Sequence, residues 1–151
     1  IIVDTQDSTL IMNKNQTQLV KEIFDELQKN QRSEIFENNF ELRPWGSFLN
    51  LLENEFTKVK RLTIKPNSSI STQYHLHRSE HWVVVSGVAD IVLNNKKIKL
   101  TAGNSIDIPR KAIHSTKNNG STDLIIIEVQ MGDYFGEDDI IRLHDPYERE
   151  N

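Results

Sequence analysis

The residues able to do chemistry gather in one stretch, Gln73-Tyr74-His75-Leu76-His77-Arg78-Ser79-Glu80-His81-Trp82. It holds three of the five histidines, with a glutamine and a glutamate beside them. Imidazole and carboxylate donors without thiolate suit Zn, Mn, Fe, Co or Ni. On a β-strand alternate residues share a face, so Gln73, His75 and His77 are expected to point one way. Glu80 breaks that parity. The spacing therefore predicts a turn near Arg78-Ser79 and a new strand on which Glu80, Trp82 and Val84 share a face. Two neighbouring strands then aim nitrogen and oxygen ligands at one point.

A second stretch runs from Gly103 through Pro109-Arg110-Lys111 to His114. It reads as a strand, a proline turn and a strand opening on one more imidazole. The elements that must hold these groups are short strands. From Phe40 onward the apolar pattern has the period of strands, punctuated by Pro66-Asn67-Ser68-Ser69, Asn94-Asn95 and Asn118-Asn119-Gly120. Leu124 to Gln130 reads as a buried strand. Many short strands at regular spacing predict a sandwich or barrel.

Upstream, Ile1 to Asp4 and Leu10 to Met12 read as strands around a polar turn. Thr17 to Asn30 reads as a helix with Thr17 as N-cap. Its Leu19, Val20, Ile23, Phe24 and Leu27 form one apolar stripe. That stripe is expected to pack on protein, with a second copy of the chain as partner, which makes a homodimer the expected state. Asn30 to Asn39 reads as a polar connector.

Composition bounds the rest. The 151 residues are 36% hydrophobic and 26% charged, which suits a globular domain rather than a disordered tail. A net charge of -4 gives no electrostatic footprint for nucleic acid. No apolar run approaches the roughly 20 residues of a membrane helix, so no membrane partner is expected. The absence of cysteine excludes disulfides and thiolate metal sites and favours the cytoplasm. The six glycines are scattered and form no phosphate-cradling loop, so no nucleotide transfer is expected of this chain. It begins Ile1-Ile2-Val3 without methionine, as a fragment would.

The two ligand-bearing stretches resemble the paired motifs of the cupin superfamily. The first motif falls on Asn67, Gln73, His75, Glu80 and Gly87, and the second on Gly103, Pro109, Lys111, His114 and Asn118. Asn67 and Lys111 stand where the family has glycine, and Gln73 stands where it has a histidine ligand. A closer resemblance is carried by Arg43-Pro44-Trp45-Gly46, by His77 to Gly87, by Ile127 to Gln130 and by Gly136 to Ile140. These stretches are similar to the C-terminal domain of type II phosphomannose isomerases, which follows a mannose-1-phosphate guanylyltransferase.

The resemblance implies a mainly β fold, a cupin double-stranded β-helix or jelly-roll barrel with an N-terminal amphipathic helix. It implies a junction segment at residues 1–39 and a cupin domain at 40–151. It also implies a divalent transition metal, zinc before Mn, Co, Ni or Fe, held by Gln73, His75, Glu80 and His114. The reaction implied is interconversion of mannose 6-phosphate and fructose 6-phosphate. The plain alternatives are a buried polar network without metal, and a cupin that binds sugar phosphate or dimerises without turnover.

Isomerisation needs an electrophile, a proton carrier and a cation for the phosphate. His77 is read as an alternative ligand or a proton carrier, with Glu137 and Asp139 also open. Arg142, in the stretch most like the family, is the preferred phosphate ligand, and Arg61, Arg110 and Lys111 are the further candidates. His81 is out of phase with Glu80 and reads as structural. His144 reads as a surface residue.

Overall fold

A computed structural model describes residues 1–4, 9–30, 32 and 39–149. The chain divides into two compact units, Ile1–Glu41 and Leu42–Asn151. In the first, β1 (Ile2–Asp4) pairs antiparallel with β2 (Thr9–Ile11). A short 3₁₀ turn, Lys14–Gln16, leads to helix α1, Leu19–Lys29. The polar turn expected at residues 5–8 and most of the expected connector lie outside the described residues.

Thr17 is not the cap that the sequence predicts. It closes the 3₁₀ turn in helical geometry (φ -60°, ψ -26°), a turn that Asn13 caps by accepting from the Asn15 N–H, while Gln18 takes the N-cap position of α1 without a side-chain hydrogen bond. Val20, Ile23, Phe24 and Leu27 are exposed and Leu19 is half-buried.

The second unit is all strand apart from one 3₁₀ turn, Glu137–Asp139. Its strands are β3 (Phe40–Arg43, which straddles the boundary), β4 (Gly46–Glu53), β5 (Thr57–Ile64), β6 (Thr72–Tyr74), β7 (Arg78–Ser86) and β8 (Val88–Leu93). They continue with β9 (Lys96–Thr101), β10 (Ser105–Ile108), β11 (His114–Lys117), β12 (Leu124–Gly132) and β13 (Ile141–His144). Two sheets result, ordered β10-β7-β12-β5-β4-β3 and β13-β6-β11-β8-β9. This is the jelly-roll arrangement that the motifs imply. No helix among the described residues is long and apolar enough to cross a membrane.

The turns carry the motif chemistry. Asn94 and Asn95 both have positive φ, 47° and 69°, as a tight two-residue hairpin requires. Asn67 (φ 59°) and Lys111 (φ 65°) adopt the left-handed conformation at the two positions where the family has glycine.

Alternation then divides the interior by level. On β7 the inward residues are Val84, Trp82, Glu80 and Arg78, all buried, and on β12 they are Leu124, Ile126, Glu128 and Gln130. The antiparallel register places Val84 beside Ile126, Trp82 beside Glu128 and Glu80 beside Gln130. Strand β5 repeats the gradient, with Ile64 and Leu62 followed by Lys60 beside Glu128. One end of the barrel is therefore an apolar plug, which includes Ile64, Trp82, Val84, Ile91, Ile108, Leu124 and Ile126. At about 1.5–3 kcal/mol for each large apolar side chain buried, that plug stabilises the fold and the polar level is built upon it.

Candidate metal centre

The polar level is organised around Glu80. Its Oε1 lies 3.0 Å from His75 Nε2 and its Oε2 lies 3.5 Å from His114 Nε2. All three residues are buried, and their donor atoms lie within 4.8 Å of one another. His75 reaches the point from the end of β6, Glu80 from the inward face of β7 and His114 from the first residue of β11. The elements predicted to converge do so.

The hydrogen bonds fix the protons. His75 Nδ1 lies 3.1 Å from the carbonyl of Asp139, and His114 Nδ1 lies 2.9 Å from the carbonyl of Ala112. A carbonyl only accepts, so each ring donates from Nδ1 and turns its Nε2 toward Glu80. Burial further lowers the pKa of His114, which keeps that ring neutral. Burial pushes Glu80 up, but the facing imidazoles and Arg78 outweigh it and hold the carboxyl well below the usual range. Two imidazole nitrogens and a carboxylate thus converge, the donor set that a divalent cation takes in place of the protons shared between them. The carbonyls behind the rings are the outer partners that metal-bound histidines ordinarily have.

Gln73 stands beside this group. It pairs in register with His114 on β11 and with Arg142 on β13, so the three share a face. Its Oε1 accepts from Ser71 Oγ at 2.7 Å. Gln73, Ser71 and Glu80 line a narrow polar cavity that opens to solvent.

Cations and carboxylates ring the mouth. Lys60 Nζ lies 3.1 Å from Glu137 and 4.4 Å from the centre of the Phe48 ring, and Arg43 also reaches Glu137, at 3.3 Å. Arg142 lines the cavity and its Nε is buried without a partner among the described residues. Arg61, Arg110 and Lys111 are elsewhere. Arg61 is exposed, out of phase with the inward Lys60 and Leu62; Arg110 is exposed beside Asp133 at 3.8 Å; and Lys111 is exposed on its turn.

The ligand strand does not stay regular as far as His77. β6 ends at Tyr74, and the chain bends at Leu76-His77, two residues earlier than expected. The His77 side chain is 54% exposed, 3.6 Å from Asp133 and against Tyr134. The earlier bend puts Arg78 inside. It donates to Glu80 Oε1 at 3.5 Å, to Asp139 Oδ2 at 3.2 Å and to the Gly136 carbonyl at 3.2 Å. Asp139 is buried, and its carboxylate also accepts from the N–H groups of Leu76 and His77. His81 lies on the outer face, 2.7 Å from Asp107, and His144 is exposed.

Sequence reasoning missed Arg78, Glu128 and Gln130. The signal for the last two was their phase, since they continue the buried positions of Leu124 and Ile126. Trp82 Nε1 donates to both Glu80 and Glu128, each at 3.0 Å. Gln130 Nε2 donates to Glu128 at 2.8 Å and to Glu80 at 3.2 Å. Burial, and then the charge of Glu80, push the Glu128 carboxyl up to about 7.

A family model described as "Mannose-6-phosphate isomerase C-terminal" matches residues 28–145. The chain belongs to this family. It is 43% identical over 151 residues to mannose-1-phosphate guanylyltransferase 2 of Escherichia coli O157:H7, covering all of this chain and 31% of that protein. It is likewise 43% identical over 150 residues to the alginate biosynthesis protein AlgA of Pseudomonas aeruginosa, covering 99% of this chain and 31% of that one. The chain thus spans about a third of the length of these curated relatives.

Among solved structures it resembles the cupin domain of Schizosaccharomyces pombe Cnp3 (TM-score 0.58, 15% identity, 62% of this chain and 69% of that one). It also resembles a Klebsiella pneumoniae protein with a double-stranded β-helix domain (TM-score 0.55, 25% identity, 58% and 77%). The fold is that of a cupin.

Proposed function

We propose that this chain is the isomerase part of a larger protein and interconverts mannose 6-phosphate and fructose 6-phosphate. The observation that carries the reading is the convergence of His75 Nε2 and His114 Nε2 on the Glu80 carboxylate beside an open cavity. His75, Glu80 and His114 would hold a divalent transition metal, zinc by preference, with Gln73 as the fourth ligand. Such an ion supplies Lewis acidity to the carbonyl and the neighbouring hydroxyl of an open-chain sugar.

The remaining steps fall to the protein. Arg142 Nε, buried at the rim and unpaired among the described residues, donates to a phosphate oxygen. Proton transfer between the two adjacent carbons needs a carboxyl near neutrality. Glu128 lines the cavity with a pKa of about 7 and is assigned that proton. Asp139 is already committed to Arg78 and two backbone N–H groups, and His77 lies out in solvent. Trp82 and Gln130 fix the Glu128 carboxylate so that the transfer costs little reorganisation.

Residues 1–39 are read as the junction to a guanylyltransferase part in a cytoplasmic bifunctional enzyme that supplies GDP-mannose for polysaccharide synthesis. The exposed stripe of α1 supports a partner there, with a homodimer as the expected assembly. The test is the conversion of mannose 6-phosphate to fructose 6-phosphate by the chain stripped of metal and then reloaded with zinc. Turnover that appears with the metal and vanishes with a chelator is expected. Sugar-phosphate binding without turnover would make the chain a binding module instead.

A further inference from the structure

Gln130 faces Glu80 across β12 and β7, is 1% exposed and lines the cavity. Its amide nitrogen has two protons and both are committed, to Glu80 and to Glu128. A flipped amide would set its oxygen against the ionised Glu80 carboxylate, so the orientation is fixed. Oε1 is therefore locked as an acceptor. It is buried and has no partner among the described residues.

The neighbouring donors are already occupied. Trp82 Nε1 serves Glu80 and Glu128, the two imidazoles donate to the carbonyls of Asp139 and Ala112, and Arg78 binds Glu80, Asp139 and Gly136. A buried acceptor left unpaired is unfavourable, and native proteins rarely leave one so. At the rim, Arg142 Nε is the converse, a buried donor without an acceptor among the described residues. An orphan acceptor deep in the cavity and an orphan donor at its rim match a ligand with hydroxyls along its chain and an anion at one end.

We propose that Gln130 is a specificity-determining residue whose Oε1 accepts a hydrogen bond from one hydroxyl of the sugar chain. This rests on the isomerase reading. Because the amide cannot turn, Gln130 rejects a sugar that lacks the hydroxyl or carries it in the opposite configuration. Discrimination is stronger against a missing hydroxyl than against a changed methylene, since the loss strands a buried polar atom.

The test is calorimetric binding to the zinc-loaded chain. The ligands are mannitol 6-phosphate, which has no carbonyl and cannot isomerise, and its analogues each lacking one hydroxyl. In the wild-type chain one deoxy analogue should bind about tenfold or more weakly. In Gln130→Met the parent ligand should lose a similar factor and that analogue no more, while the other analogues lose equally in both proteins. Zinc affinity measured alongside separates any loss of support for Glu80, which would weaken every ligand alike.

A wild-type chain indifferent to each hydroxyl overturns the proposal without any variant. So does a variant that discriminates among the analogues as the wild type does. A zinc-loaded wild-type chain that binds no sugar phosphate overturns the isomerase reading and this inference with it. One that binds and isomerises, with hydroxyl selection independent of Gln130, overturns this inference alone.

Discussion

Replacing Glu128 with Gln should change the pH dependence of stability, and the size of the effect follows from where Glu128 sits. Burial is the main cause that raises this carboxyl from its ordinary 4.5 to about 7, and the charge of Glu80 adds to it. A carboxyl with a higher pKa when folded binds its proton more tightly in the native state. Its stabilising contribution is therefore complete below pH 4.5 and is lost as the pH rises to about 7. The gap between the two values corresponds to roughly 3 kcal/mol, most of it lost between about pH 5 and pH 8. His114 works in the opposite sense. Burial lowers its pKa below 6.5, so its contribution is present above 6.5 and is lost as the pH falls. Both proteins carry His114, so it cancels in their difference. The assay is urea unfolding of the wild-type and Glu128→Gln chains in chelator at several pH values. The variant should gain roughly 2–3 kcal/mol on the wild type from about pH 5 to about pH 8, whatever constant offset its changed hydrogen bonds impose. Parallel curves would show that Glu128 titrates normally and would remove the case for it as proton carrier.

Gln73→His should tighten zinc binding by roughly tenfold, about 1.4 kcal/mol, because imidazole is a better ligand than an amide. An unchanged affinity by competition titration would place Gln73 outside the ligand set. Arg142→Met should raise KM for mannose 6-phosphate by about tenfold or more, the loss expected of one charge-assisted hydrogen bond, and leave kcat nearly unchanged. A fall in kcat at constant KM would speak against a phosphate role. Lys111→Gly should stabilise the chain by about 0.5–1 kcal/mol in urea unfolding, since Lys111 holds φ at 65° on an exposed turn and glycine does so without steric cost. Destabilisation would mean that the lysine side chain makes a contact worth more than the strain.

Much of the fold was legible because a barrel writes period two into its strands. The parity break between His75 and Glu80 announced two strands, and the proline turn before His114 announced the strand that brings a second imidazole to Glu80. The position of the bend was not legible. A turn at Arg78-Ser79 and one at Leu76-His77 both satisfy the parity of Glu80, yet only the second buries Arg78 and leaves His77 in solvent. That choice is made by Asp139, 61 residues further on, whose carboxylate receives Arg78 and two N–H groups of the bend. No local spacing encodes such a contact. Glu128 and Gln130 were legible in principle, as polar residues in phase with buried ones. A polar pair at the end of an apolar strand also reads as the strand leaving the core, and the cavity alone decides between the two. The outward placement of Arg61, one of the four phosphate candidates, was illegible for the same reason. Arg61 and Lys60 are adjacent in sequence but face opposite sides of β5, and parity separates them only once the inward face is known.

The claim beneath all of this is that His75, Glu80 and His114 form one metal centre. Anomalous diffraction at the zinc edge from crystals of the zinc-loaded chain tests it most directly. One peak is expected, about 2.0–2.2 Å from His75 Nε2, His114 Nε2 and a Glu80 carboxylate oxygen. A zinc-loaded crystal with no peak there, or with its peak on the outer His81–Asp107 pair or beside His77 and Asp133, would contradict it.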